Sequence, residues 1–192
     1  ILTRKFRQAF RIEEIRVYLG VIFVFAGLIA FNVRPMFGSL RESFHHALFQ
    51  VASIITTTGF STVDFDQWPT FSRALLVLLM FIGACAGIKC SRILLLGKSV
   101  KKELMCLIHP RLVRVNKMDG QRVSHEVMRS INVFVVAYAF IFILSLLIIS
   151  LNCEDLVTCF TSVATTLNNV GPGLSLCGPT CNFGFFPPVS KL

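Results

Sequence analysis

Residues 51–62 read Val51-Ala52-Ser53-Ile54-Ile55-Thr56-Thr57-Thr58-Gly59-Phe60-Ser61-Thr62, and 112 positions later the chain returns to the same pattern. Val163-Ala164-Thr165 matches Val51-Ala52-Ser53, and Asn168-Asn169-Val170-Gly171 matches Thr56-Thr57-Thr58-Gly59. Each copy starts with apolar residues at helical spacing and ends in hydroxyl or amide side chains before a glycine. The first copy, within residues 43–63, carries no formal charge but is too polar at its end to cross a bilayer as one helix. It reads as a half-helix that enters the membrane and returns as a loop. Such backbone is tolerated at depth only where it lines protein or water. Uncharged apolar runs precede the two copies, Val17–Val33 and Ser130–Cys153, at roughly the same offset. The sequence thus predicts one helix–half-helix–loop–helix unit and a second lacking its exit helix. Internal repeats in membrane proteins commonly surround a substrate path.

Composition supports a membrane setting. Of 192 residues, 54% are hydrophobic and 15% charged, against roughly 25% charged in a soluble domain. The 19 Phe suit a lipid-facing interior, because the ring has no polar group to satisfy. The net charge of +9 is unevenly spread. Arg4, Lys5, Arg7, Arg11 and Arg16 precede the first apolar run, and ten further Lys and Arg lie from Lys89 to Arg129. That is the distribution of cytoplasmic loops. A nucleic-acid site would instead interleave basic residues with exposed aromatics on one face.

The remaining segments follow from this topology. Arg34-Pro35 is expected to end the first spanning helix on the outer side. Asp64, Asp66, Trp68 and Pro69 mark the outer interface, and a long apolar helix is expected from Pro69 to Leu96. Lys98–Ile108 reads as a basic helix on the cytoplasmic membrane face, where Lys98, Lys101 and Lys102 fit either lipid headgroups or plain topology. Residues 112–124 read as a hairpin turning at Asp119-Gly120. The fold class is all-α integral membrane. Residues 1–97 form one pore repeat, 98–129 a cytoplasmic connection, and 130–192 a second repeat. No cleavable signal peptide is expected. Among the seven Cys, Cys85, Cys106 and Cys159 act as small hydrophobes, and the spacing of Cys177 and Cys181 leaves a pairing open.

The loops carry the chemistry of an ion site. A dehydrated cation needs oxygen ligands, and successive backbone carbonyls supply them when glycines such as Gly59 and Gly171 take positive φ. Each half-helix directs its C-terminal partial negative charge of about −0.5 to the same point. Thr and Asn add oxygens without fixed charge. Asp64, Asp66, Glu154 and Asp155 either concentrate cations at an entrance or are simply solvated. His45 and His46 are adjacent, so on a helix they point about 100° apart, which favours hydrogen-bonded roles over a shared metal. The apolar runs hold no Asp, Glu or His for acid–base work, and Ser145 and Ser150 are expected to bond backbone carbonyls. An enzyme is therefore not expected. A non-transporting membrane assembly or receptor subunit is the rival, disfavoured because an anchor has no need of two oxygen-lined loops.

Together these residues resemble the Trk/Ktr/HKT superfamily of potassium transporters, most closely its bacterial Trk-type membrane subunits. The likeness is carried by ITTTGFST at 55–62, FIGACAG at 81–87 followed by IK at 88–89, IHP at 108–110 and NNVGPG at 168–173. It covers essentially the whole chain. The resemblance implies a pore of four such repeats around one axis, of which this chain is the third and most of the fourth. It implies filter quarters at Thr56, Thr57, Thr58, Gly59 and Phe60 and at Asn168, Asn169, Val170, Gly171 and Pro172. K⁺ would be ligated by the backbone carbonyls of Thr57, Thr58, Asn169 and Val170, and a glycine in both loops would favour K⁺ over Na⁺. A gate region is implied at Gly83, Ala84, Cys85, Ala86, Gly87 and Lys89. Here the sequence departs from the family, since Gly87 runs straight into Ile88-Lys89 without the longer Gly/Ser/Thr-rich stretch. The resemblance further implies a multi-pass protein of the bacterial inner membrane, a homodimer, and a cytosolic nucleotide-binding regulatory subunit. No phosphate-binding glycine loop occurs in this chain, and no cofactor beyond the transported K⁺ is expected. Channel-like transport and coupling to H⁺ or Na⁺ as a symport both stay open.

Overall fold

The computed structural model describes residues 13–83, 125–151 and 155–187, together with positions 97, 100, 101, 105, 117, 118, 121 and 122. Five α-helices organise them: α1 (Glu13–Phe37), α2 (Leu40–Ile55), α3 (Thr70–Gly83), α4 (His125–Ser150) and α5 (Leu156–Leu167). Two two-residue strands, Lys117–Met118 and Gln121–Arg122, pair antiparallel with Lys117 opposite Arg122. Asp119-Gly120, where the turn is expected, lie outside the described residues. The gate positions Ala84, Cys85, Ala86, Gly87 and Lys89 lie outside the described residues, as do Glu154, most of the expected basic helix and the end of the expected exit helix.

The helices α1 and α4 have 25 and 26 residues. At 1.5 Å per residue each spans about 37–39 Å, enough to cross a hydrocarbon core of about 30 Å. Helix α1 does not stop at Arg34-Pro35 as expected. Pro35 sits exposed in its last turn. The chain leaves the helix at Gly38, with φ 68° and its amide on the Arg34 carbonyl at 3.2 Å. That single left-handed cap is what glycine stabilises.

Helices α1, α2 and α3 form one packed group. Ala26, Ile29, Ala30 and Val33 of α1 meet Ala47, Val51 and Ile54 of α2 and Leu76, Leu79 and Met80 of α3. The small residues recur at three- and four-residue spacing, which brings the backbones close. Val170 and Leu174, from the chain beyond α5, are buried in this same core. The second group is thinner. Phe142 of α4 packs on Val163 and Ala164 of α5, with Phe81 and Phe160 against it. Most of α4 is otherwise uncovered, and Val136, Phe140 and Leu147 are among its exposed residues.

Candidate functional site

The two loops singled out by the repeat fold alike to the level of single hydrogen bonds. After α2, the amides of Thr56, Thr57 and Thr58 bond to the carbonyls of Ala52, Ile54 and Ser53 at 3.0, 3.1 and 2.9 Å. After α5, the amides of Asn168, Asn169 and Val170 bond to Ala164, Thr166 and Thr165 at 3.2, 3.2 and 2.9 Å. Every donor and acceptor pair is displaced by 112 positions. Each is a Schellman end, with crossed bonds over a left-handed residue. That residue is normally glycine, yet here it is Thr57 at φ 55° and Asn169 at φ 52°. The expected glycines, Gly59 and Gly171, follow two positions later at φ 79° and 109°.

This capping leaves a defined set of oxygens. The carbonyls of Thr56, Thr57, Thr58, Asn168, Asn169 and Val170 accept no hydrogen bond among the described residues. Unpaired carbonyls are costly away from water unless another partner takes them. Hydroxyls reinforce the first loop. Thr56 Oγ1 donates to Ala52 O at 2.7 Å and pairs with Thr58 Oγ1 at 2.7 Å, and Ser53 Oγ holds Phe60 O at 2.6 Å. In the second loop Thr161 Oγ1 accepts from the Leu174 amide at 3.2 Å, holding the chain that follows Pro172.

The loops also touch. A Cβ built on Gly59 would stand 2.4 Å from Val170 O and 3.3 Å from Pro172 Cδ, while one on Gly171 would stand 3.7 Å from Gly59 Cα. Gly59 is therefore required both by its φ and by the neighbouring carbonyl, whereas Gly171 is required by φ. Gly83 ends α3 against the same site. A Cβ there would be 2.8 Å from Ile54 O, Ile55 Cα and Ile55 O, so the helix end rests directly on the backbone of α2.

The outer acids are capping groups. Asp64 accepts from the Asp66 amide at 3.2 Å and from Gln67 Nε2 at 3.0 Å. Asp66 accepts from the Ser175 amide at 3.0 Å, across 109 residues, and pairs with Arg73 at 3.4 Å. Asp155 caps α5 through the amides of Val157 and Thr158 at 3.2 and 3.1 Å and the Thr158 hydroxyl. The Thr158 hydroxyl holds the Asp155 carboxyl below its usual range. Partial burial opposes this, and the Thr158 amide, the Ser175 hydroxyl and the Val157 amide reinforce it. The bond from the Ser175 amide ties the second loop's chain to Asp66, a link that no local pattern signals. His46 hydrogen-bonds Thr62 through Nδ1 at 3.1 Å and stacks on Phe37 at 5.0 Å. Among the described residues no His, Cys, Asp and Glu group could hold a metal. Cys177 and Cys181 are not joined to each other, so the pairing left open by their spacing is not made. Ser150 donates to the Leu147 carbonyl at 2.8 Å, as expected.

Comparison with known proteins places these features in a family. The family model described as "TrkH: Cation transport protein" matches residues 19–192. This chain belongs to the TrkH cation transport protein family. The Trk system potassium uptake protein TrkH of Escherichia coli K12 is 35% identical over 195 residues, covering 98% of this chain and 40% of that protein. TrkH of Vibrio parahaemolyticus serotype O3:K6 is 37% identical over 163 residues, covering 82% of this chain and 34% of that protein. The crystal structure of the potassium transporter TrkH from Vibrio parahaemolyticus superposes with a TM-score of 0.84 at 34% identity, over 95% of this chain and 40% of that one. The chain therefore spans 40% or less of the length of these TrkH relatives. TrkH membership accounts for two apolar helices of membrane-crossing length in a multi-pass membrane protein.

Proposed function

We propose that this chain supplies two quarters of a potassium uptake path. Residues 1–97 and 130–192 belong to two pore repeats of re-entrant design, and 98–129 join them on the cytoplasmic side. The observation that carries this is the pair of matched half-helix ends, whose six carbonyls accept no hydrogen bond among the described residues and which touch where the Val170 oxygen stands against Gly59. A cation shed of water takes oxygen ligands from Thr57, Thr58, Asn169 and Val170. The C-terminal dipoles of α2 and α5 add negative potential without a carboxylate that would retain a divalent ion. Loops from outside this chain complete the ring. Movement is inward, across the bacterial inner membrane, in a homodimer governed by a cytosolic nucleotide-binding subunit. Gly83 and the following Ala84–Gly87 stretch with Lys89 form the gate side of the path. The names and the fold of the relatives support this assignment over a non-transporting subunit.

The test is K⁺ uptake by potassium-starved cells carrying the full-length parent protein, with Na⁺ and Rb⁺ as competitors. Saturable K⁺ and Rb⁺ uptake that resists Na⁺ is expected. A membrane-inserted protein that stays silent with its regulatory partner present refutes the proposal.

A further inference from the structure

We propose that Tyr138 is a positioning residue for the second loop, fixing its carbonyls from the spanning helix through the side chain of Asn168. The role rests on the two loops being the cation filter proposed above. Tyr138 is a half-buried residue on α4, a helix of which most residues are exposed. A phenol in an apolar setting needs a hydrogen-bond partner. Its hydroxyl donates to Asn168 Oδ1 at 2.7 Å. The ring cannot swing away easily, because it stands one helical turn from Phe134 and from Phe142, with centroids at 6.3 and 6.4 Å. Phe142 in turn packs on Phe160 of α5 at 5.2 Å and Phe81 of α3 at 5.5 Å. The hydroxyl is thus presented by an aromatic column anchored on two other helices.

Asn168 is where a small displacement matters. It caps α5 and directly precedes the left-handed Asn169 and the carbonyl of Val170 that meets Gly59. Among the described residues its Nδ2 is buried with no partner, and the Tyr138 bond is the one hydrogen bond its side chain makes. The first loop does without such an anchor. The counterpart of Asn168 is Thr56, which bonds Ala52 and Thr58 within its own turn. The counterpart of Tyr138 is Ala26, a buried residue with no reach. One loop holds itself, and the other is held from a helix whose far side is uncovered.

The test uses the full-length transporter with Tyr138→Phe, which keeps the ring and removes the hydroxyl. K⁺ uptake is measured against Na⁺ and Rb⁺ competition, beside thermal stability and the amount inserted. A fall of about three- to tenfold in K⁺ over Na⁺ preference is expected, from a buried acceptor left without its donor. Asn168→Ala should shift the preference similarly, and the double variant should be no worse than the worse single one. Additive losses overturn the inference, as does parental selectivity in inserted Tyr138→Phe protein, whatever its stability. Gly59→Ala in the same assay separates the failures. If Gly59→Ala alters selectivity and Tyr138→Phe does not, Tyr138 has no positioning role. If neither alters it, the filter assignment itself falls.

Discussion

The sharpest prediction concerns the two loop glycines, which the sequence presents as equivalents and the structure does not. In Gly59→Ala the new methyl begins 2.4 Å from the backbone oxygen of Val170, where real contacts do not fall below 3.0 Å. One loop must retreat by about 0.6 Å, and the obstacle is main chain rather than a side chain that rotates away. Selection among hard cations turns on comparable distances. The oxygen shells of Ca²⁺ and Mg²⁺ differ by about 0.3–0.5 Å. The φ of 79° adds about 1–2 kcal/mol of backbone strain for an L-residue. Gly171→Ala meets only Gly59 Cα, at an ordinary 3.7 Å, so strain at φ 109° is its whole cost, about 1–3 kcal/mol.

Both variants, made in the full-length parent protein, are compared for K⁺ uptake under Na⁺ and Rb⁺ competition and for thermal midpoint. Loss of K⁺ over Na⁺ preference is expected to be larger for Gly59→Ala than for Gly171→Ala, with both proteins somewhat destabilised. Equal or inverted effects on selectivity refute the claim that contact between the loops, rather than glycine φ alone, sets the carbonyl geometry. Unchanged selectivity in both, at normal expression, refutes the filter.

Three further outcomes test the surrounding structure. Gly83→Ala drives a methyl to 2.8 Å from the backbone of Ile54 and Ile55 and is expected to lower stability by about 1–3 kcal/mol, read as a fall in thermal midpoint with impaired uptake. Thr57→Asn places a residue tolerant of left-handed backbone at φ 55°, as Asn169 already does in the other loop, and should raise stability by about 0.5–1 kcal/mol. Asp155→Ala removes the cap of α5 and is expected to cost about 1 kcal/mol at neutral pH. Because the folded carboxyl lies below its unfolded value, its stabilisation is complete above the unfolded value of about 3.9 and fades as pH falls through the folded one. Asp155→Asn should therefore flatten the acid limb of a thermal-midpoint profile, and an unchanged acid limb would show that the cap does not titrate there.

Much of this arrangement is legible in the residues, for identifiable reasons. The half-helices are local objects. Their apolar spacing, the polar run and the glycine all lie within a dozen residues, and the offset of 112 makes each copy a check on the other. The first left-handed position is less legible, because nothing intrinsic to a β-branched threonine points to φ 55° at Thr57. It takes that conformation because Thr57 and Thr58 amides close on Ile54 and Ser53 while the flanking helix is buried on α1 and α3. The helix stop at Pro35 misreads because the helix runs two residues further, to Phe37, and ends at the left-handed Gly38, although proline withdraws one amide from its last turn. Tyr138 with Asn168 and Asp66 with Ser175 join residues 30 and 109 apart, and no periodicity or spacing rule reaches across such distances.

The acids at the outer side show how structure and charge combine in one group. Asp64, Asp66 and Asp155 accept hydrogen bonds from backbone amides. The two roles considered for them, structural cap and cation attractor, are compatible. A carboxylate that accepts such bonds is favoured in its ionised form, as the lowered Asp155 shows. At Asp155 capping therefore favours the negative charge while fixing where it sits. In the proposed path these acids would raise the local cation concentration, and tight ligation would be left to the neutral loop carbonyls. That division suits permeation, where an ion must bind well enough to lose water and weakly enough to leave.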